Sequence, residues 1–163
     1  MKDKYCRCCG RLLDEKIDNN NEIYMYCNSC DKRYYENAIC AIICAIKYQD
    51  KYLVVKQPHI NDSYSLISGF VNINESLEEC VKREIKEELG IELLNNIKYI
   101  NSYPYNKKDM IMIGFLIEIN NSLISTNNEI SSYEFVKYDK AIELLKNARI
   151  ASKLMLDIGD INE

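Results

Sequence analysis

Glu84 and Glu88 stand four residues apart in the stretch Gly69 to Ile91, GFVNINESLEECVKREIKEELGI. In a helix, each residue advances by about 100°, so positions four apart share a face. Leu77, Val81, Ile85 and Leu89 then line an apolar arc, and Glu84 and Glu88 project inside it. Two carboxylates on the core side of a helix are costly to bury unless a cation meets them. Carboxylates are hard oxygen donors, so magnesium or manganese is the expected partner. Such ions neutralise a pyrophosphate, stabilise a departing phosphate and help deprotonate a bound water, so the chemistry suggested is phosphate hydrolysis. Glu87, three residues beyond Glu84, can hold a further ion or the water. A solvated helix laced by Glu79–Arg83 and Glu78–Lys82 pairs accounts for those residues. It does not account for Glu84 and Glu88.

A second constellation lies near the start of the chain. Cys6 and Cys9 form one Cys-x-x-Cys pair and Cys27 and Cys30 another, with 17 residues between them. Four thiolates from two such pairs suit a tetrahedral zinc ion in a closed, structural site. An iron site of rubredoxin type and an exported disulfide framework are the alternatives. Cys8 lies inside the first pair and is expected to be a spectator. Cys40, Cys44 and Cys80 sit among Ile, Ala, Leu and Val and are expected as buried thiols. His59, the only histidine, falls in a polar loop, where solvation is its expected state.

The carboxylates require a well-anchored helix. Ser76 followed by Glu79 is a capping-box pattern, and Gly90 supplies a left-handed stop. Ahead of it, Ala38 to Lys47 (AICAIICAIK) is the near-continuous apolar run of a strand covered on both faces. Tyr52 to Lys56 reads as its hairpin partner, Pro58 to Asp62 as a loop, and Tyr64 to Ile67 as a short strand feeding Gly69. Beyond the helix, Ile97 to Ser102, Met110 to Ile119 and Tyr133 to Tyr138 read as strands. Asn120 to Asn128 reads as a polar connection. Asp139 is expected to cap a helix through Asn147, and Ile150 to Ile158 to form a second one. The fold class is therefore α/β, a mixed sheet between helices in an α/β/α sandwich. Residues 1–35 form a metal-dependent ribbon with its hairpin tip at Asp18 to Asn21, and 36–163 the larger domain.

The 163 residues carry a net charge of −4, so no broad field draws nucleic acid or an anionic membrane. No apolar run reaches the roughly 18 residues of a membrane span, and no leader pattern is seen. A cytoplasmic location is the default, in keeping with metal-bound rather than disulfide-linked cysteines.

Gly69, Glu75, Arg83, Glu84, Ile85, Glu87, Glu88, Gly90 and Ile91 together resemble the Nudix box, with every fixed position met. From Tyr5 onward the chain is similar to the zinc-ribbon-containing NADH pyrophosphatase branch of the Nudix hydrolases. The matching pieces are the two cysteine pairs, Arg33-Tyr34-Tyr35, Gly69-Phe70-Val71, the box and Ala151. The resemblance implies the Nudix α/β/α sandwich, with Glu84, Glu87, Glu88 and Arg83 as catalytic residues. Arg83 orients a glutamate, and Glu88 or Glu87 acts as base. It also implies that the carbonyl of Ser68 and the carboxylate of Glu129 join Glu84 and Glu88 around magnesium or manganese. Phe70, with Tyr35 from a second subunit of a homodimer, is implied to stack on the substrate base. Tyr105 and Ala151 are further implied contacts.

Two features depart from the branch. The large domain that precedes the ribbon in those enzymes is not in this sequence. The stretch Ser102-Tyr103-Pro104-Tyr105-Asn106-Lys107-Lys108-Asp109-Met110 keeps Pro104, puts Tyr105 where the branch has tryptophan, and loses the rest of its Ser-Gln-Pro-Trp-Pro-Phe-Pro-x-Ser pattern. Lys107 and Lys108 are candidates to grip phosphate. The expected function is metal-dependent cleavage of the diphosphate of a nucleoside diphosphate derivative to two monophosphates, with NAD(H) or ADP-ribose the expected substrate. Hydrolysis of other dinucleotides or nucleotide sugars, and nucleotide sensing without cleavage, are the alternatives. Removal of a capping nucleotide from an RNA 5′ end is within the reach of the branch.

Overall fold

The computed structural model describes residues 3–35, 37–58, 63–92, 96–105 and 109–162. His59, Lys107 and Lys108 lie outside the described residues. The chain divides into two compact units, Met1–Ala38 and Ile39–Glu163.

The first unit is an antiparallel sheet of β1 (Asp14–Ile17), β2 (Ile23–Cys27) and β3 (Lys32–Tyr34), in that order. Its β1–β2 turn is held by the Asp18 carboxylate, which accepts from the amides of Asn20 and Glu22, with Asn21 at a φ of 62°. That is the Asx-type local bonding that short polar side chains offer. Buried Cys6, Leu13 and Cys27 form its interior, with Met25, Cys30 and Tyr34 packed around them. So small an apolar set cannot offset the ordering of the strands unaided, which assigns weight to the cysteines.

The second unit is built on a mixed sheet. Its strands are β4 (Ile39–Tyr48), β5 (Lys51–Lys56), β6 (Tyr64–Ser65), β7 (Ile67–Phe70), β8 (Ile97–Tyr105), β9 (Met110–Glu118) and β10 (Ser132–Lys137). The order is β10-β5-β4-β9-β8, with β6 paired to β5 and β7 to β4. β4 runs parallel to β9 and antiparallel to β5 and β7. Helix α1 (Leu77–Leu89) covers one face; α2 (Tyr138–Leu145) and α3 (Arg149–Asn162) cover the other.

Successive strand side chains point to opposite faces. On β4, Ile42, Cys44 and Ile46 pack toward α1, while Ile43 and Ala45 pack toward α2 and α3. The doubly covered strand is thus why residues 39–46 are almost uniformly apolar. Cys44 and Cys80 are buried in the α1-side core, and Cys40 is partly buried beside it.

Several local expectations are corrected. The run from Tyr64 to Ile67 is two strands, because β4 and β5 diverge beyond their hairpin and the chain steps from one partner to the other at Leu66. Asp139 is not the cap of α2. That position is Lys137, whose side chain makes no capping bond, and Asp139 sits in the first turn, where a carboxylate still complements the helix dipole. The helix ends at Leu145, and α3 extends beyond Ile158 to Asn162.

Candidate active site

Helix α1 is fixed at both ends. Ser76 accepts from the amide of Glu79, whose carboxylate accepts in turn from the amide of Ser76, and Gly90 at a φ of 68° closes the C-terminus onto Lys86. Each end therefore satisfies helix groups that otherwise lack partners.

Arg83 ties this helix to the loop before it. Its Nε donates to Glu75 Oε1 at 2.7 Å and its Nη2 to Glu75 Oε2 at 3.0 Å, a bidentate fork. Nη2 also donates to the Phe70 carbonyl at 2.9 Å, and Nη1 to Glu84 Oε1 at 2.6 Å and Glu87 Oε2 at 3.3 Å. Such a planar multi-donor pattern is available to guanidinium and not to a lysine ammonium. The guanidinium, with help from the Asn72 amide, holds the Glu75 carboxyl down to about 2. Arg83 is itself shifted upward by its bonds to Glu75 and Glu84.

The carboxylates behave differently. Burial raises Glu84 above the ordinary carboxylate range despite its bond to Arg83. Glu88 is only 2% exposed, and burial, followed by the charges of Glu84, Glu129 and Glu87, pushes it up to about 7. Its Oε2 is buried without a hydrogen-bond partner. A carboxylate left in this state among other carboxylates fits a site for a hard divalent cation, which removes both penalties at once.

Gly69, on β7 opposite Ile42, seats Glu84: a Cβ there would lie 1.9 Å from both Cδ and Oε1 of that glutamate. Ser68 precedes it on the same strand, opposite Ile43. Glu129 reaches the carboxylates through the connection after β9. Within it, Ser125 donates its amide to Leu89 O at 2.9 Å and Asn127 to Glu88 O at 3.4 Å, while the Asn127 side chain accepts from the Glu129 amide. This loop thereby satisfies carbonyls at the end of α1 and carries Glu129 beside the helix.

The structure thus brings Arg83, Glu84, Glu87, Glu88 and Glu129 together and sets Gly69 beneath Glu84, while Ser68 pairs with Ile43, which packs on the α2–α3 side. Phe70 is 56% exposed on the same strand, with its carbonyl engaged by Arg83. Tyr105, at the end of β8, is half-buried against the α2–α3 side of the sheet. Ala151 is buried in the first turn of α3, so only its backbone is available to a ligand. Tyr35 belongs to the first unit, exposed, with its ring 5.6 Å from that of Tyr24. Sequence reasoning named Glu75 and Gly69 only as motif positions; as anchor of Arg83 and seat of Glu84 they belong to the site. It also missed the clamp of Ser125 and Asn127, for which the Asn-x-Glu turn was the available signal.

In the first unit, the Sγ atoms of Cys6, Cys9, Cys27 and Cys30 all lie within 4.8 Å of one another. Among the described residues this is the one group whose ligand atoms gather so closely, the carboxylates of α1 being spread more widely. Cys9 Sγ and Cys27 Sγ are 3.6 Å apart, far beyond a disulfide and close to the ~3.8 Å edge of a tetrahedron with ~2.3 Å metal–sulfur bonds. All eight cysteines are free thiols. The Cys8 amide donates to Cys6 Sγ at 3.4 Å, and the Tyr34 hydroxyl lies 3.1 Å from it. The Tyr34 contact leads in bringing the Cys6 thiol down to about 6, toward the thiolate a metal needs. Cys8 itself is exposed, takes a hydrogen bond from Lys32 and stands outside the quartet.

Comparison with known proteins bears on both units. The NAD-capped RNA hydrolase NudC of Vibrio vulnificus is 36% identical over 116 residues, which cover 71% of this chain and 43% of that protein. The Escherichia coli NudC is 31% identical over 156 residues, 94% of this chain and 59% of that protein. The chain therefore spans about half the length of these relatives. A NUDIX hydrolase from Nitrosomonas europaea shares the fold with a TM-score of 0.68 at 20% identity, over 84% of this chain and 78% of its own. The NUDIX domain of Shewanella oneidensis NrtR, solved with ADP ribose, does so with 0.64 at 12% identity, over 85% and 94%. The model of the NUDIX domain matches residues 35–157, the whole of the mixed sheet with α1, α2 and most of α3. By that match, and by the relatives that share it, the chain belongs to the NUDIX family.

Proposed function

We propose that the chain is a divalent-metal-dependent pyrophosphohydrolase that cleaves the diphosphate of an NAD-type dinucleotide, NAD(H) or ADP-ribose, into two monophosphates. The observation that carries this reading is the buried, unpaired Oε2 of Glu88, on a carboxylate that feels the charges of Glu84, Glu129 and Glu87. Magnesium or manganese held by Glu84, Glu88, Glu129 and the Ser68 carbonyl would neutralise the diphosphate and acidify a bound water. Arg83 keeps Glu84 and the box loop in register, so the carboxylates meet the substrate preorganised rather than solvated. Glu88 or Glu87 accepts the proton of the attacking water. That water forms a new P–O bond, and the bridging P–O bond breaks, leaving one phosphate on each product. Phe70 is exposed and free to stack on a base, and the first-turn backbone of α3 at Ala151 offers amide donors. Tyr105 is a further candidate contact.

The NAD-type substrate is favoured because the similar proteins from Vibrio vulnificus and Escherichia coli are hydrolases of NAD-capped RNA. An NAD-capped 5′ end presents the same diphosphate and belongs among the substrates to test. Residues 1–35 are read as a structural zinc ribbon and 36–163 as the hydrolase domain. A homodimer, in which Tyr35 of a second copy completes the base site, and a cytoplasmic location complete the reading. No helix among the described residues is long and apolar enough to cross a membrane.

The test is a panel of NADH, NAD, ADP-ribose, FAD, diadenosine polyphosphates, UDP-glucose and a 5′-NAD-capped RNA, each with magnesium and then manganese, with monophosphate release as the readout. Release from the NAD-type members above the others supports the proposal. Preferred turnover of UDP-glucose or a polyphosphate moves the assignment to that class, and binding without release at either metal makes the chain a nucleotide sensor.

A further inference from the structure

Two buried side-chain oxygens among the described residues have no hydrogen-bond partner: Glu88 Oε2 and Ser65 Oγ. The first belongs to the site above. The second is not explained by an ion on α1, and a buried hydroxyl calls for a partner.

The fold puts both on the same side of the sheet. Tyr64 and Leu66 pack in the core beneath α2 and α3, while Ile67 packs beneath α1. By strand alternation Ser65, between Tyr64 and Leu66, faces α1. Its partner across the ladder, Val55, is also in the α1-side core. The α1 helix is registered on the same strand run, with Cys80 Sγ donating to Phe70 O and Glu84 seated over Gly69. Moving along α1 from Cys80 through Glu84 to Glu88 therefore moves back along the run from Phe70 toward Ser65. The segment after β9 closes the triangle. Asn127 N is bonded to Glu88 O, and Ser131 N is bonded to Lys56 O, which neighbours the Val55–Ser65 pair. The four-residue step from Asn127 to Ser131, which carries Glu129, spans at most ~14 Å.

We propose that Ser65 is a positioning residue of the carboxylate site, its hydroxyl donating through one bound water to Oε2 of Glu88. A serine on an otherwise apolar face supplies a donor where the buried carboxylate has none, and a site with two polar partners can hold such a water. The bridge fixes the Glu88 carboxylate in the rotamer that faces Glu84 and Glu129, as outer partners of metal-binding side chains commonly do. This rests on the hydrolase reading for its kinetic consequence, but not for its consequence on ion binding.

The test uses the full chain with Ser65→Ala and Ser65→Thr, the latter keeping a hydroxyl on a residue suited to a strand. Manganese affinity is measured by electron paramagnetic resonance without substrate, and kcat and KM with the best substrate of the panel. Ser65→Ala is expected to weaken manganese about tenfold and to lower kcat about tenfold with KM within twofold, while Ser65→Thr restores both. Manganese affinity and kcat both unchanged in Ser65→Ala overturn the proposal. So does a loss in Ser65→Ala that Ser65→Thr shares in full, which marks a packing defect. If no panel member is cleaved, the hydrolase reading fails, and the manganese affinities alone still decide the role of Ser65.

Discussion

Without a divalent ion, Glu88 works against the fold, and Glu88→Gln should stabilise the protein at high pH and not at low pH. Burial and the neighbouring carboxylates move this carboxyl from 4.5 to about 7 in the folded state. Below pH ~4.5 it is neutral in both states and costs nothing. Between there and about 7 the folded state keeps a proton that the unfolded chain has released, so stability falls as pH rises. Above that, both states are ionised and the full cost is present. At ~1.4 kcal/mol per pH unit the cost amounts to about 3 kcal/mol, and the side chain's burial leaves little solvent to screen it. Glutamine keeps the shape of the neutral acid. In a domain of this size ~3 kcal/mol corresponds to a rise in Tm of roughly 5–10 °C. Circular dichroism melts in magnesium-free, zinc-replete buffer should therefore show Glu88→Gln melting only slightly above wild type at pH 5, where under ~1 kcal/mol of the cost has developed, and well above it at pH 8. Added magnesium should raise the wild type more than the variant. A variant less stable than wild type at pH 8, or equally stabilised at pH 5 and 8, would refute the argument that an uncompensated charge sits there.

Other outcomes follow from the same geometry. Gly69→Ala places a methyl 1.9 Å from the Glu84 carboxyl, which must swing away. Turnover should fall about 100-fold with far-UV circular dichroism unchanged, since a displacement of ~1 Å at a reacting centre has that effect; normal turnover would contradict the seating of Glu84. Arg83→Lys cannot span both Glu75 oxygens and the Phe70 carbonyl, so kcat should drop by about 10–100-fold. Full activity in that variant would reduce the guanidinium to a surface contact. Cys27→Ser should abolish zinc content, measured by elemental analysis, and expose residues 3–35 to proteolysis while the larger unit stays folded. Retention of stoichiometric zinc would remove the quartet from the ribbon's account.

How much of this was legible varies with how local the cause is. The cap at Ser76, the stop at Gly90 and the core-facing Glu84 and Glu88 are local or periodic, and each could be read from residues within one or two turns. The β4 run announced a doubly covered strand because both of its faces are apolar. The split between β6 and β7 was not legible, since it depends on the divergence of β4 and β5 and leaves no composition signal at Leu66. The start of α2 was misjudged because Asp139 has the right chemistry two residues too late, and the observed cap position is a lysine without a capping bond. Glu129 could be placed only by resemblance. Its approach depends on the amides of Ser125 and Asn127 meeting the end of α1; the turn at Asn127 leaves a local signal, but the distant carbonyls those amides meet do not. Ser65 reads from sequence as an ordinary strand serine, and only the packing of Tyr64 and Leu66 on the α2–α3 side, with Val55 across the ladder, sets its direction.

The central claim is that the carboxylates of α1 hold the ion that makes this domain a diphosphate hydrolase. The most direct measurement compares monophosphate release by wild type and Glu88→Gln, on NADH or ADP-ribose, as magnesium is titrated at pH 8. Turnover by the wild type that saturates with magnesium, and a loss of several orders of magnitude in the variant at every magnesium concentration, is the expected result. Turnover that does not depend on a divalent ion, or a variant that keeps wild-type rates while remaining folded, would contradict it.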